Sequence, residues 1–174
     1  MITKYILIGL TTLILLSCHE KNLKMESKIE SKIDEIEFSY MGGLKIPYNR
    51  ININISKSYN KDSAVVFVQS KPLFDDPKWA YSKIDTVLKI DYKTFERLAA
   101  VTASLDEINM DKAHTNGLDG STWKIEFGSK GKNKSYRFWS PYSDSKTREL
   151  TNFITLSEQI IEISGLKKEE VLKN

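Results

Sequence analysis

The 174-residue sequence predicts an α+β fold, a mainly antiparallel sheet of about six strands with two helices packed on one face. Three observations predict it. Several short segments alternate apolar and polar residues with the period of two that a half-buried strand requires. Turn residues, not crossover helices, join most of these segments, which makes the pairing antiparallel. Two longer stretches place apolar residues three or four apart, the spacing of an amphipathic helix.

The elements follow in order. Ile36, Phe38 and Tyr40 alternate with Glu37 and Ser39 before Gly42 and Gly43 let the chain turn, which gives a first strand. Arg50-Ile-Asn-Ile-Asn-Ile55 is the plainest strand, with Ile51, Ile53 and Ile55 on a buried face and Asn52 and Asn54 outside. Ser63 to Gln69 contains the continuous apolar run Val65-Val-Phe-Val68, which predicts a strand covered more fully, and its β-branched content argues against helix. Between Lys71 and Ser82, Pro72, Asp75, Asp76 and Pro77 oppose regular structure, while Leu73, Phe74, Trp79 and Tyr81 require that the loop pack on something. Ile84, Thr86, Leu88 and Ile90 then share one face of a fourth strand.

Asp91 caps a helix whose apolar stripe runs through Phe95, Leu98, Val101 or Thr102, and Leu105. Residues 111 to 120 form a loop rich in Asp, Asn and Gly. Trp123, Ile125 and Phe127 alternate with Lys124 and Glu126, a polar turn occupies Gly128 to Lys134, and Tyr136 and Phe138 alternate with Arg137 and Trp139, which makes a hairpin ended by Ser140-Pro141. From about Lys146 to Ser164, Leu150, Phe153, Ile154, Ser157, Ile160 and Ile161 draw the stripe of a long helix stopped at Gly165. Residues 167 to 174 read as a charged, frayed tail.

Ahead of this domain the chain has a different character. Lys4 precedes an apolar run from Tyr5 to Leu16, Ser17 is small, and Cys18, the sole cysteine, follows. That order of parts is an export signal, and the run is too short for a comfortable membrane span of about 20 apolar residues. Leu15 to Cys18 closely resembles the lipobox of bacterial lipoproteins. The resemblance implies that Cys18 receives a diacylglyceryl group, that a peptidase cuts before it, and that two or three acyl chains then hold the protein on its membrane. Residues 1–17 are then the signal peptide, 18–34 a lipidated cysteine with a charged tether, and 35–166 a single domain. Met25, Ile29, Ile33 and Ile36 recur at helical spacing, so a short amphipathic helix is the alternative for the tether. His19 stands where lipoproteins retained in the inner membrane carry aspartate, which favours the outer membrane, facing the periplasm, in a Gram-negative source.

With the thiol used by lipid, no disulfide forms, and stability rests on an ordinary core. The net charge of +3 gives no strong polyanion signature. The nearest basic cluster, Lys130, Lys132 and Lys134 with Tyr136, Arg137 and Trp139 beyond, reads as a solvated turn, and an envelope location excludes nucleic acid as a partner.

Catalytic signatures are sparse. Ser121 lies near His114 and Asp119 but no nucleophile elbow surrounds it. Asp111 to Thr122 has Ala113 and Thr115 at the third and fifth positions of a calcium loop and Thr122 where its bidentate glutamate should stand, and with one usable histidine zinc has no ligand set, so no metal and no cofactor is expected. The remaining constellation is aromatic. Parity puts Trp123 in the core and turns Trp139 outward beside Arg137, where it either marks a binding surface or is covered by a helix or by the Trp79 loop. Trp139, Arg137, Trp79, His114 and Asp119 are the candidate surface residues, with Asp119 expected to bond nearby backbone amides at the turn into the hairpin. The expectation is a lipid-anchored envelope domain that binds a protein or an envelope component without chemistry of its own, for example of immunity or inhibitor type. The enzymatic alternative is an envelope hydrolase acting on glycan, peptidoglycan or lipid through acids near residues 111 to 121.

Overall fold

The computed structural model describes residues 32–43, 48–60 and 62–172. The signal segment, Cys18 and all but the end of the tether lie outside the described residues. Six strands form one antiparallel sheet: β1 (Glu35–Gly42), β2 (Arg50–Lys57), β3 (Ser63–Lys71), β4 (Asp85–Asp91), β5 (Ser121–Ser129) and β6 (Lys132–Trp139), in the spatial order β4-β3-β2-β1-β5-β6. The first strand is thus central, flanked by β2 and by β5 from the far half of the chain. Helices α1 (Tyr92–Thr102) and α3 (Thr151–Ile163) supply the covering layer, with the short α2 (Met110–Ala113) and α4 (Lys168–Val171) at its margins. The α+β architecture is the one the sequence pattern predicts.

Alternation decides the core. Ile36, Phe38 and Tyr40 of β1, Ile51, Ile53 and Ile55 of β2, and Trp123, Ile125 and Phe127 of β5 are buried on one face and meet Phe95, Leu98, Phe153, Ile160 and Ile161 of the helices. Trp123 is fully buried as its parity required, edge-on to Phe38 at 6.4 Å, and its indole N–H donates to Ser121 Oγ at 2.8 Å. Asp91 caps α1 by accepting from the Thr94 amide at 2.9 Å and the Thr94 hydroxyl at 2.7 Å. Its carboxyl is held below the usual range by those two bonds, hydroxyl first. On α1 it is Thr102, not Val101, that completes the buried stripe.

Five expectations need correction. β3 is no more fully covered than its neighbours: Ala64, Val66 and Val68 are buried, while Phe67 is 47% exposed, because among the described residues both long helices lie on the same side of the sheet. The loop of residues 71 to 82 contains a 3₁₀ turn, Pro77–Ser82, and leaves Phe74 and Tyr81 largely exposed. The hairpin turn is shorter than its polar composition suggested, since Lys130 and Gly131, both at positive φ, suffice to join the strands as a two-residue turn. The last long helix starts at Thr151 instead of near Lys146, because Glu149 adopts φ 57°, which no helical turn accommodates. The tail does not fray at 167: Val171 and Leu172 are fully buried, and Lys168 reaches Glu158 on α3 at 3.0 Å. The folded unit therefore extends past residue 166.

Among the described residues no helix is long and apolar enough to cross a membrane.

Candidate functional site

Among the described residues no helix lies on the second face of the sheet. Strand register arranges its side chains in transverse rows. One row runs Lys71, Arg50, Met41, Thr122, Trp139 from β3 to β6. The next runs Asp85, Gln69, Asn52, Ser39, Lys124, Arg137, and a third runs Val87, Phe67, Asn54, Glu37, Glu126, Ser135. Phe67 and Val87 are cross-strand neighbours in the third row, 47% and 60% exposed, on a face where water would be expected to select polar side chains.

Loops wall the first two rows at one end of the sheet. Pro72, Leu73, Asp75, Lys83 and Ile84, at the two ends of the segment that joins β3 to β4, line with Arg50, Asn52 and Lys71 a depression of about 830 Å³. The 114–120 loop stands over β5 and β6. A second depression of about 320 Å³ lies between Arg50, Met41 and this loop, and a third of about 150 Å³ lies between His114, Arg137 and Trp139. The depressions adjoin: Arg50 borders the first and second, and Gly117, Thr122 and Trp139 border the second and third.

The seating of the 114–120 loop depends on two glycines. A Cβ on Gly117 would lie 2.2 Å from the Trp139 indole, and one on Gly120, at φ 148°, would lie 2.2 Å from Ser140 Oγ. Only glycine lets the backbone approach the ring so closely. Trp139 is accordingly half-buried, and what covers it is this loop, neither a helix nor the Trp79 segment.

The loop is pinned from beneath by Arg148, which is 5% exposed. Its guanidinium donates from Nε and Nη2 to the Ala113 carbonyl at 3.0 and 2.9 Å, from Nη1 to Ser140 and Ser143 at 2.9 and 3.0 Å, and from Nη2 to Trp139 at 2.9 Å. Every N–H of the group is used, and all acceptors are backbone carbonyls. Burial pushes the guanidinium's pKa down, with Asp144 opposing. Ser140, Asp144 and Glu149 adopt φ of 38°, 52° and 57° around this centre. Arg148 was not singled out in the sequence, where an arginine in a polar stretch carries no mark of burial.

The five candidate surface residues separate. His114, Arg137 and Trp139 meet at the third depression. Asp119 is exposed and, contrary to expectation, makes no side-chain hydrogen bond among the described residues, because Gly120 rather than an Asp119 cap turns the chain into β5. Trp79 lies tilted against Tyr81 with ring centres 6.1 Å apart and Lys78 Nζ 5.5 Å from its own ring, and borders none of the three depressions. Tyr142, three residues after Trp139, belongs to the other side: its ring meets Trp123 at 4.9 Å and its hydroxyl donates to Glu158 at 2.8 Å.

The geometry also removes the one sequence-adjacent catalytic grouping. Ser121 is 3% exposed on the core face, where its hydroxyl accepts from the Trp123 indole and donates to the Tyr40 phenol oxygen, whereas His114 lies over the opposite face. Among the described residues no group of three or more His, Cys, Asp or Glu side chains is placed to hold a metal ion. What the face offers is donors and cations: Arg50, Lys71 and Arg137 are exposed, and among the described residues none has an acidic partner within ion-pair distance. No family model matches the chain, and no curated protein does.

Proposed function

We propose that this is a lipid-anchored protein of the bacterial envelope whose domain binds another protein through the uncovered face of its sheet and performs no chemistry of its own. The anchor part of the reading rests on the resemblance of Leu15 to Cys18 to a lipobox. The binding part rests on a single observation: the uncovered face carries Phe67 and Val87 side by side, with exposed, unpaired cations at its walled end. Exposed apolar side chains rimmed by polar ones mark protein contact surfaces. An immunity or inhibitor role, in which an anchored domain captures and neutralises an incoming protein, is the specific version of this reading.

Two measurements test it. Intact-mass analysis of protein extracted from native membranes is expected to find residues 1–17 removed and Cys18 acylated, and Cys18→Ser is expected to abolish acylation. An unmodified thiol in the soluble fraction refutes the anchor. For binding, a photoreactive residue at Phe67 is expected to give a discrete crosslinked adduct in intact cells, while one at Arg97, exposed on α1, gives none. Equal labelling from both positions, or none from either, refutes a partner on the sheet face.

A further inference from the structure

The three depressions at the walled end lie in series as a trough interrupted where the 114–120 loop sits on Trp139, and the residues along it specify the occupant more narrowly than the binding reading on which this inference rests. The trough crosses all six strands, from Asp85 on β4 to Trp139 on β6. Five interstrand spacings of about 4.8 Å make it about 24 Å long, the span of about seven extended residues.

Charge fixes the sign of what it holds. Arg50 and Lys71 stand directly opposite each other on neighbouring strands. Like charges so placed repel and destabilise the pairing. Among the described residues no carboxylate within the domain neutralises either one, nor Arg137 at the far end. Of the remaining charges among the described lining residues, Lys83 and Asp75 pair with each other at 2.8 Å, which leaves Asp85 as the one described acid set against Arg50, Lys71 and Arg137. Apolar groups sit between the cationic ends: Met41 is 49% exposed, and Leu118, at the tip of the 114–120 loop, is fully exposed. An anionic glycan or a nucleic acid chain calls for several open aromatic platforms, and the trough has one indole, already half-covered. Carboxylates spaced by apolar side chains suit it better.

We propose that the trough holds an extended acidic segment of the partner protein, its carboxylates on Arg50 with Lys71 at one end and on Arg137 at the other, and an apolar side chain against Met41 and Leu118 between them. The probe is a fluorescein-labelled peptide, Glu-Leu-Glu-Ser-Glu-Leu-Glu-Ser, titrated with the full chain in detergent micelles and followed by anisotropy. Saturable binding is expected, weakened at least about tenfold by Arg50→Glu with Lys71→Glu and by raising salt, since both act on desolvated or steered charge pairs. The same peptide with lysine for glutamate is expected not to bind. Arg50→Gln with Lys71→Gln gives an intermediate loss and guards against a folding defect of the reversed variant, checked by an unchanged thermal midpoint. Undiminished affinity in the reversed variant, no binding up to about 1 mM peptide, or equal or tighter binding of heparin or octathymidylate overturns the proposal. Crosslinking keeps the two conclusions apart: adducts from Phe67 that persist in the reversed variant overturn the acidic-segment site and leave a protein partner on the sheet face standing.

Discussion

Removing the Arg148 guanidinium tests whether the walled end of the sheet is held together from one point. In Arg148→Ala the carbonyls of Ala113, Trp139, Ser140 and Ser143 lose five hydrogen bonds from a charged donor. Bonds of that kind contribute roughly 1.5–3 kcal/mol each. Their sum overstates the loss, because the 140–149 segment opens, water reaches the freed carbonyls, and the cost of keeping a cation out of water disappears. Opening also releases the backbone at Ser140, Asp144 and Glu149, whose positive φ values cost about 1 kcal/mol each. The balance is a destabilisation of about 3 kcal/mol, a large fraction of the roughly 5–15 kcal/mol typical of a domain. Urea unfolding followed by circular dichroism measures it. Arg148→Lys is expected to recover less than half, since a single ammonium cannot reach carbonyls on opposite sides of a planar fork. A loss below about 1 kcal/mol for Arg148→Ala, or full recovery by lysine, refutes the argument that this guanidinium is what the surrounding carbonyls are built around.

Three further outcomes follow from the same contacts. Asp91→Ala removes the α1 cap and is expected to lower stability by about 1 kcal/mol by urea titration, with Asp91→Asn losing much less because an amide oxygen still accepts from Thr94. Gly117→Ala drives a methyl into the Trp139 indole, so the 114–120 loop is expected to lift and the tryptophan emission to shift to longer wavelength, with the unfolding midpoint almost unchanged because the loop covers surface and not core. Tyr40 and Tyr136 have phenols pushed up to about 12, Tyr40 by burial and Tyr136 by burial and its bond to Asp106; burial and Glu158 raise Tyr142 as well. The folded state therefore holds these protons more tightly than the unfolded chain, whose phenols ionise near 10. Their contribution is complete below about pH 10 and is lost as pH rises through the folded values, so urea midpoints are expected to fall steadily between pH 10 and 12. Midpoints that stay level over that range contradict the assignment.

Much of the fold was legible because the signals are local. Ile51, Ile53 and Ile55 alternate within six residues, Asp91 precedes its helix by one, and Gly165 adopts the φ of 79° that ends α3. The errors arose where distant chain segments meet. Val65 to Val68 read as a more fully covered strand because four apolar residues in a row carry no information about whether a second layer exists. Glu149 looked helical in a periodic window, yet the wrapping of its neighbours around Arg148 forces it out. Val171 and Leu172 were lost in a charged tail, although two apolar residues suffice to dock it on α3.

The candidate site was half-visible. Parity alone turned Trp139 and Arg137 outward and sent Trp123 to the core, and the sequence pattern by itself determined which residues of each strand share a face, where α1 begins and where α3 ends. Only the tertiary structure decided that β5 lies beside β1, that both long helices take the same side, and that His114 meets Trp139 while Trp79 and Asp119 do not. It alone set Arg50 opposite Lys71 and buried Arg148 under the loop. The physical reason is range: periodicity and caps act over a few residues of chain, whereas a pair of cations across a strand boundary, or a guanidinium shared by four carbonyls, exists only after segments up to 35 residues apart have been brought together by the burial of the core.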